Sequence, residues 1–190
     1  MRYTVFLDRD GVINYDSSDY IKKSNEFYFI PESAEAVALL CKNNFNIIVI
    51  TNQSVIGRKM GTLDDLEAIF AKMRKGVEVC GGEIKDIFFC PHTPDENCSC
   101  RKPKPGLIFQ AMAKYKIDPA CSCMVGDSAK DIECANNAGC GCSLLVQTGN
   151  GKKAAAELEK KAIKPDFTGV NLMACAQWIC ENLKKSDAVL

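Results

Sequence analysis

The stretch that decides the fold is VFLDRDGVIN, residues 5–14. Its apolar start is typical of a β-strand buried on both faces, and this strand leads directly into Asp8 and Asp10. Carboxylates at the end of a buried strand are costly when unpaired, so the pair indicates a site that uses negative charge. An Asp-Gly pair is also common in turns, and Asp10 with the glycine after it is open to that interpretation. The polar residues at the other predicted strand ends decide between a functional site and an ordinary turn.

The composition is that of a globular protein without a charge bias. The chain has 190 residues, and we expect a single domain over residues 1–190. Lysine and arginine together number 24, as do aspartate and glutamate, which disfavours binding to nucleic acid or anionic membranes. No apolar run approaches the roughly 18 residues of a membrane span, and the N-terminus is charged too early for a secretory signal. We therefore predict a cytoplasmic protein with no nucleic-acid or membrane partner, and we expect a monomer.

Short apolar runs alternate with longer helical patterns along the chain. The predicted strands are Tyr3–Leu7, Asn46–Ile50, Asp86–Phe89, Ser122–Val125 and Ser143–Val146. The predicted helices are Ser33–Asn43, Leu63–Val79, Gly106–Tyr115, Ala129–Ala138, Lys152–Lys161 and Leu172–Leu183. This alternation predicts an α/β fold with a doubly wound, mostly parallel, Rossmann-like sheet and helices on both faces. We expect the tail, Lys184–Leu190, to be frayed.

Polar groups follow four of these strands. They are Asp8 and Asp10 after the first, residues 51–54 after the second, residues 90–92 after the third and Asp127 after the fourth. The carboxyl ends of parallel strands share one edge of the sheet, and ligands bind at that edge in open α/β folds. The sequence therefore predicts that these groups meet in one crevice.

The chemistry of these groups fits a phosphate ester. Asp8, Asp10 and Asp127 in one cleft would repel unless a cation lay among them, and such hard oxygen ligands suit Mg²⁺. One carboxylate could attack phosphorus while a neighbouring acid protonates the leaving group. Lys102 is suited to spread the transition-state charge, and Arg101 to bind a phosphate with two hydrogen bonds. Taken alone, these two cations would indicate a solvated surface pair.

A second metal site is predicted in the loop CPHTPDENCSC, residues 90–100. The spacing C-x-H-x5-C-x-C brings together four soft or borderline ligands, which suits a structural, tetrahedral Zn²⁺ with no open position. Its ligands would be Cys90, His92, Cys98 and Cys100. The alternative is an exposed loop with reactive thiols. Zinc would stiffen the loop that ends at Arg101 and Lys102.

The chain has twelve cysteines. With no export signal, a disulfide framework is disfavoured. Those outside the zinc loop are expected to be buried thiols that act as small hydrophobes. They are Cys41, Cys80, Cys121, Cys123, Cys134, Cys140, Cys142, Cys175 and Cys180.

The motifs DRDG, TNQS, RKPKPG and VGDSAKD occur in the order and spacing of the haloacid-dehalogenase (HAD) superfamily of phosphotransferases, which the chain resembles from residue 8 to residue 131. The resemblance implies that Asp8 is the nucleophile and Asp10 the general acid/base. It also implies that Thr51 binds the phosphoryl group and that Lys102 neutralises charge. Asp127 would hold Mg²⁺ together with Asp8 and the backbone carbonyl of Asp10.

Other residues of these motifs, and of the loop after the first strand, are expected to lie near the substrate or its phosphate. They are Asp16, Asp19, Asn52, Gln53, Ser54, Arg101 and Ser128. The acidic side chain of Asp131 would be at most an outer partner of the metal site.

The zinc loop resembles the branch of the superfamily that contains heptose-bisphosphate and histidinol-phosphate phosphatases. The segments around DRDGVIN, TNQSVIGR, RKPKPGL and TGNGKK favour the heptose group, which implies a small phosphorylated sugar as substrate and removal of its 7-phosphate. Histidinol phosphate is the alternative substrate. The loop YDSSDY, residues 15–20, departs from the heptose group, which usually carries a Gly-Tyr pair there.

Only about twenty residues, 11–32, separate the first strand from the first helix, too few for a large cap domain, so we expect an open site. Two interpretations of another class remain: a receiver-like signalling module, or a zinc-stabilised binding protein that has lost catalysis. Asp10, two residues after the proposed nucleophile, favours an enzyme because it supplies a base that hydrolyses an acyl-phosphate.

Overall fold

The computed structural model describes residues 2–183, so the predicted frayed tail lies outside the described residues. The strands are β1 (Thr4–Leu7), β2 (Asn46–Asn52), β3 (Asp86–Cys90), β4 (Ser122–Gly126), β5 (Cys142–Val146) and β6 (Phe167–Gly169). The helices are α1 (Ser33–Lys42), α2 (Leu63–Val79), α3 (Gly106–Tyr115), α4 (Ala129–Ala138), α5 (Gly151–Lys160) and α6 (Leu172–Asn182). Short 3₁₀ turns lie at Ser24–Glu26, Pro94–Glu96 and Pro119–Cys121.

The strands form one parallel sheet in the order β3-β2-β1-β4-β5-β6. Strand β1 lies at the centre, where Val5 is opposite Ile47 on one side and Cys123 on the other. The strand order reverses between β1 and β4, which opens a crevice at the carboxyl ends of these two strands. The predicted doubly wound α/β fold is confirmed.

Alternation along β1 divides the core between the two faces of the sheet. Val5 and Leu7 pack into a cluster with apolar side chains of α1, α2 and α6, whereas Phe6 packs into a second cluster with α3 and α4. All three side chains are fully buried. Because both faces are covered, the polar ends of β1 and β4 are the places where this central region of the sheet meets solvent.

Two details differ from the sequence prediction. Strand β6, Phe167–Gly169, was not predicted, because three residues are too few to show a period. The expectation that every cysteine outside the zinc loop is buried is wrong for Cys80, which is exposed directly after α2. Cys123, Cys134, Cys142 and Cys175 are buried, and the rest of that group are half-buried.

The connection from β1 to α1 carries one 3₁₀ turn and no cap domain within the described residues. Its middle folds back onto the molecule, with Phe27 fully buried and the N–H of Ile30 bonded to the carbonyl of Ile13. Over residues 2–183, no helix is both long and apolar enough to cross a membrane.

Candidate active site

Three carboxylates meet where β1 and β4 end. Asp8 directly follows β1, and its N–H continues the ladder to Val125 of β4 with a 3.0 Å hydrogen bond. Asp127 directly follows β4, and Asp131 lies in the first turn of α4. One oxygen from each of the three carboxylates lies within 4.8 Å of the others. As predicted, Asp8 and Asp127 lie close together at one edge of the sheet.

A tight turn after β1 makes room for Asp127. The carbonyl of Arg9 accepts hydrogen bonds from three successive N–H groups, and Gly11 adopts a positive φ of 77° within this turn. A Cβ at Gly11 would lie 2.1 Å from Asp127 Oδ2, and one at Gly149 would lie 2.2 Å from the same oxygen. The two glycines therefore let backbone approach this carboxylate closely.

Asn150 holds Asp127 from the start of α5. Its N–H donates to Asp127 Oδ2 at 2.8 Å, and its side-chain amide donates to the same oxygen at 3.2 Å. Burial and the nearby Asp131 carboxylate raise the pKa of Asp127 to about 6, although these hydrogen bonds act in the opposite direction. Burial and the neighbouring negative charge both disfavour the ionised form of Asp127.

Lys102 is the buried cation at the centre of the cluster, with 3% of its surface exposed. Its Nζ lies 2.9 Å from Asp8 Oδ1 and 2.6 Å from Asp131 Oδ1, and it donates to the carbonyl of Ile50 at 3.0 Å. Burial lowers the pKa of Lys102, but Asp131 and Asp8 outweigh this and hold it above its ordinary range. The Lys102 ammonium therefore forms ion pairs with two carboxylates.

Lys102 offsets only part of the negative charge around Asp8. Burial raises its pKa to about 8, Lys102 opposes this rise, and the carboxylates of Asp131 and Asp127 add to it. A divalent cation beside these oxygens would relieve the repulsion, and carboxylate oxygens are the ligands that Mg²⁺ takes. The donor set therefore fits the predicted metal, with Asp8, Asp127 and the backbone carbonyl of Asp10 as its proposed ligands.

The side chain of Asp10 points to a different set of partners. It accepts hydrogen bonds from Arg9 Nε (3.0 Å) and Nη2 (2.7 and 2.8 Å), from Asn14 Nδ2 (2.9 Å) and from Gln53 Nε2 (2.9 Å). All of these groups are donors, and together they fix the orientation of the Asp10 side chain. Its place in the carboxylate cluster is taken by Asp131.

Most of the predicted site residues line a single cleft above this cluster. They are Asp8, Asp10, Asp16, Thr51, Asn52, Gln53, Ser54, Arg101, Lys102, Asp127 and Ser128. Asp19 lies outside the residues that line this cleft, and its role at the site stays a prediction. The turn before Tyr20, which has a positive φ of 61°, leaves the Asp19 side chain 77% exposed and paired with Lys22 at 2.5 Å.

The cleft also has lining residues that the sequence analysis did not predict. They are Arg9, Ser17, Ser18, Tyr20, Ile21, Arg58, Ala129, Lys130, Asn150, Lys153, Ala154 and Glu157. Asn150 and Lys153 follow β5, and the rule that located the other groups would have located them too. Arg58 lies over the ring of Tyr20, with 6.0 Å between its guanidinium carbon and the ring centroid. No short-range pattern in the sequence signals that contact.

The zinc loop forms a compact ligand set. Cys90 Sγ lies 3.5 Å from His92 Nδ1 and 3.6 Å from Cys98 Sγ, and Cys100 Sγ lies 3.3 Å from His92 Nδ1 and 3.4 Å from Cys98 Sγ. Tetrahedral Zn²⁺ with ordinary bond lengths separates such ligands by about 3.5–3.8 Å. The four side chains therefore fit a closed zinc site.

The same loop is tied to the cleft. Arg101 Nη1 donates to the carbonyl of His92 at 3.1 Å. The amide of Asn52 bonds both backbone groups of Lys102, accepting from its N–H at 3.1 Å and donating to its carbonyl at 3.3 Å. Because Asn52 ends β2, these bonds fix the loop, and with it both cations, to the sheet.

The fold and the site together define the class, a hydrolase of the HAD type. A sequence profile described as HAD-hydrolase-like matches residues 99–175. The D-glycero-β-D-manno-heptose-1,7-bisphosphate 7-phosphatase of Neisseria meningitidis serogroup A is 43% identical over 153 residues, 80% of this chain and 81% of that protein. The protein of the same name from Pseudomonas aeruginosa is 47% identical over 150 residues, 79% of this chain and 84% of that protein.

A solved structure agrees with these relatives. The D,D-heptose 1,7-bisphosphate phosphatase from B. bronchiseptica, complexed with magnesium and phosphate, superposes with a TM-score of 0.88 at 37% identity, covering 94% of this chain and 98% of that chain. The chain therefore belongs to the HAD-type phosphatase family of the heptose-1,7-bisphosphate 7-phosphatases. It is a phosphatase, as predicted.

Replacement of Gly11 by alanine should separate backbone strain from damage to the site. Gly11→Ala and Gly81→Ala both place a side chain at a strongly positive φ, 77° and 83°, so each should cost about 1 kcal/mol of stability. Only Gly11→Ala should also displace Asp127, because nothing lies within 4 Å of a Cβ at Gly81. We expect phosphatase kcat/KM to fall about 100-fold or more in Gly11→Ala and to stay near wild type in Gly81→Ala. Equal activities of the two variants would contradict this account of the turn.

Proposed function

We propose that this phosphatase removes the 7-phosphate of D-glycero-β-D-manno-heptose 1,7-bisphosphate in a Mg²⁺-dependent reaction through an aspartyl-phosphate at Asp8. The observation that carries the proposal is the buried Asp8–Lys102–Asp131 cluster, with Asp127 beside it, at the floor of the cleft. Relatives that bear the heptose-phosphatase name at 43% and 47% identity support the choice of substrate and of anomer.

The nucleophile is held in place before the substrate arrives. Asp8 Oδ1 accepts a 2.7 Å hydrogen bond from the N–H of Arg9 and lies 2.9 Å from Lys102 Nζ. In the first step a carboxylate oxygen of Asp8 attacks phosphorus, and the bond from phosphorus to the sugar oxygen breaks. Lys102 stabilises the negative charge that develops on the phosphoryl oxygens.

Asp10 acts as the general acid in the first step and as the general base in the second. As an acid it gives its proton to the leaving sugar oxygen; as a base it then takes a proton from the water that attacks the aspartyl-phosphate. That second attack breaks the bond between phosphorus and Asp8, releases inorganic phosphate and restores both carboxyl groups. Magnesium, when bound, supplies positive charge to the phosphate and to the crowded carboxylates.

The charges around the cleft favour a bisphosphate. Arg58, Arg101, Lys130 and Lys153 line it, and cations at this density suit a second phosphate beyond the one that is transferred. Histidinol phosphate, the alternative, carries an amine and no second phosphate, so it offers these cations only one anionic group. Thr51, Asn52, Ser54 and Ser128 remain the proposed polar contacts to the transferred phosphoryl group and its surroundings.

We further propose that Cys90, His92, Cys98 and Cys100 bind a structural Zn²⁺. Burial, together with a hydrogen bond to the Cys100 thiol, raises the pKa of Cys90 to about 12. A thiol must lose its proton to bind zinc, so the ion would displace protons from this cluster as it stabilises the loop. The proposal also includes a single domain over residues 1–190, a monomeric state and a cytoplasmic location. The free thiols and the balanced charge support the last of these.

A substrate profile of the purified protein tests the proposed reaction. With Mg²⁺ present, we expect the highest kcat/KM for the β-anomer of heptose 1,7-bisphosphate, with one phosphate released and the sugar 1-phosphate left. The α-anomer, fructose 1,6-bisphosphate and histidinol phosphate serve as comparison substrates, and Asp8→Asn should lower turnover by at least about 1,000-fold. Preference for histidinol phosphate would overturn the substrate assignment, and a stable phosphoprotein without turnover would favour the receiver-like alternative.

The crowded carboxylates predict how pH affects the metal-free protein. Because the pKa of Asp127 is raised to about 6, above its unfolded value of about 3.9, the folded state retains a proton that the unfolded state releases. The free energy of unfolding should therefore fall as pH rises from about 4 through 6, and the raised pKa of Asp8 extends this loss to higher pH. Thermal unfolding in EDTA measures it, and excess Mg²⁺ should raise the melting temperature more at about pH 8 than at about pH 5. An equal rise at both would contradict this prediction.

Elemental analysis tests the zinc site. We expect one Zn²⁺ per chain in the wild type and in Cys80→Ala, whose exposed thiol lies outside the ligand set. Cys98→Ala should lose the metal and lower the melting temperature, with a smaller loss of activity than Asp8→Asn, because zinc positions the loop and takes no part in the chemistry. Full activity with no bound zinc in wild-type protein would contradict the structural role.

A further inference from the structure

Gln53 lies just beyond the end of β2, and its side chain connects two residues of the proposed mechanism. It is 4% exposed, and its backbone N–H donates to the carbonyl of Cys90 at 2.7 Å. Its Nε2 donates to Asp10 Oδ2 at 2.9 Å and to Thr51 Oγ1 at 2.9 Å. One buried amide group thus contacts both the proposed acid/base and the proposed phosphate-binding hydroxyl.

The orientation of this amide follows from its surroundings. Asp10 Oδ2 accepts from Arg9 Nη2 at 2.8 Å and Asp10 Oδ1 accepts from Asn14, so a donor on Gln53 completes the hydrogen bonding of this carboxyl group. The nitrogen of Gln53 must therefore face Asp10, and an amide nitrogen has two hydrogens. Both are used, one on Asp10 and the other on Thr51, so this nitrogen has none left for a substrate.

The direction of the second bond has a consequence for Thr51. A hydroxyl has one hydrogen, and here its oxygen receives a hydrogen from Gln53. Over residues 2–183 the structure records no bond in which the Thr51 hydroxyl donates, although the residue is 1% exposed and lines the cleft. Its hydrogen is therefore available to a phosphate oxygen.

We infer that Gln53 is a positioning residue that sets the Thr51 hydroxyl as a hydrogen-bond donor toward the phosphoryl group, while it holds the carboxylate of Asp10. This role replaces the direct substrate contact expected for Gln53, and it rests on the proposed function. Gln53→Glu reverses the polarity of the bond, because a carboxylate accepts from the hydroxyl and so removes its hydrogen from the phosphate. Gln53→Met removes the bond without replacing it.

The test measures the binding of inorganic phosphate to the Mg²⁺-loaded protein by calorimetry, in single and double variants. We expect Gln53→Glu to weaken phosphate binding about 30-fold and Gln53→Met about 5-fold, within the range of one hydrogen bond to a charged group. In a Thr51→Val background Gln53→Met should weaken binding less than about 3-fold, because no hydroxyl remains to be oriented, and Gln53→Glu should retain only the effect of its charge beside Asp10. In a Thr51→Ser background the effects should return. Gln110→Glu, an exposed site on α3, controls for the added charge.

The outcomes separate the inference from the proposed function. Equal effects of the Gln53 changes in the wild-type and Thr51→Val backgrounds, in variants that melt within a few degrees of wild type, would overturn the positioning role. A larger effect of Gln53→Met than of Gln53→Glu would overturn the polarity argument. A wild-type protein that binds no phosphate and hydrolyses no phosphomonoester would instead refute the proposed function.

Discussion

The Lys102 ammonium, buried between Asp8 and Asp131, is the interaction on which the rest of the site depends. Two carboxylates cannot share a dry cleft without a cation, and removal of one partner from a buried pair costs several kcal/mol. Lys102 pairs with both and also bonds the carbonyl of Ile50, so β1, β2 and α4 converge on a single nitrogen. The position of the loop that carries Lys102 is therefore as important as the carboxylates themselves.

That requirement gives the zinc loop its role. The loop leaves β3 at Cys90 and returns at Cys100, two residues before Lys102. A zinc ion would join the two ends of this loop. The two hydrogen bonds between Asn52 and Lys102 fix the residues that follow the loop to β2. Cys100 and Lys102 are two residues apart, so a zinc ion that stiffens the loop would also fix the position of the Lys102 ammonium.

The sequence predicted the architecture well, because the strands buried on both faces leave a strong apolar signal and the polar groups stand at their ends. It did not predict β6, whose three residues carry no period. It assigned Asp19 to the site from its place in the loop, whereas the coordinates show that side chain exposed and paired with Lys22. It assigned Gln53 a substrate contact, because only coordinates show that its side-chain nitrogen donates to Asp10 and Thr51.

The short connection between β1 and α1 has a consequence for turnover. Enzymes that shelter their chemistry under a mobile cover must open it before the product departs, and that opening often limits their rate. Here the segment from Gly11 to Glu32 folds back onto the molecule and brings no cap domain. Departure of the sugar 1-phosphate needs no large rearrangement, so the velocity of this enzyme would be governed by bond making and breaking, and the water that hydrolyses the aspartyl-phosphate would enter directly from solvent.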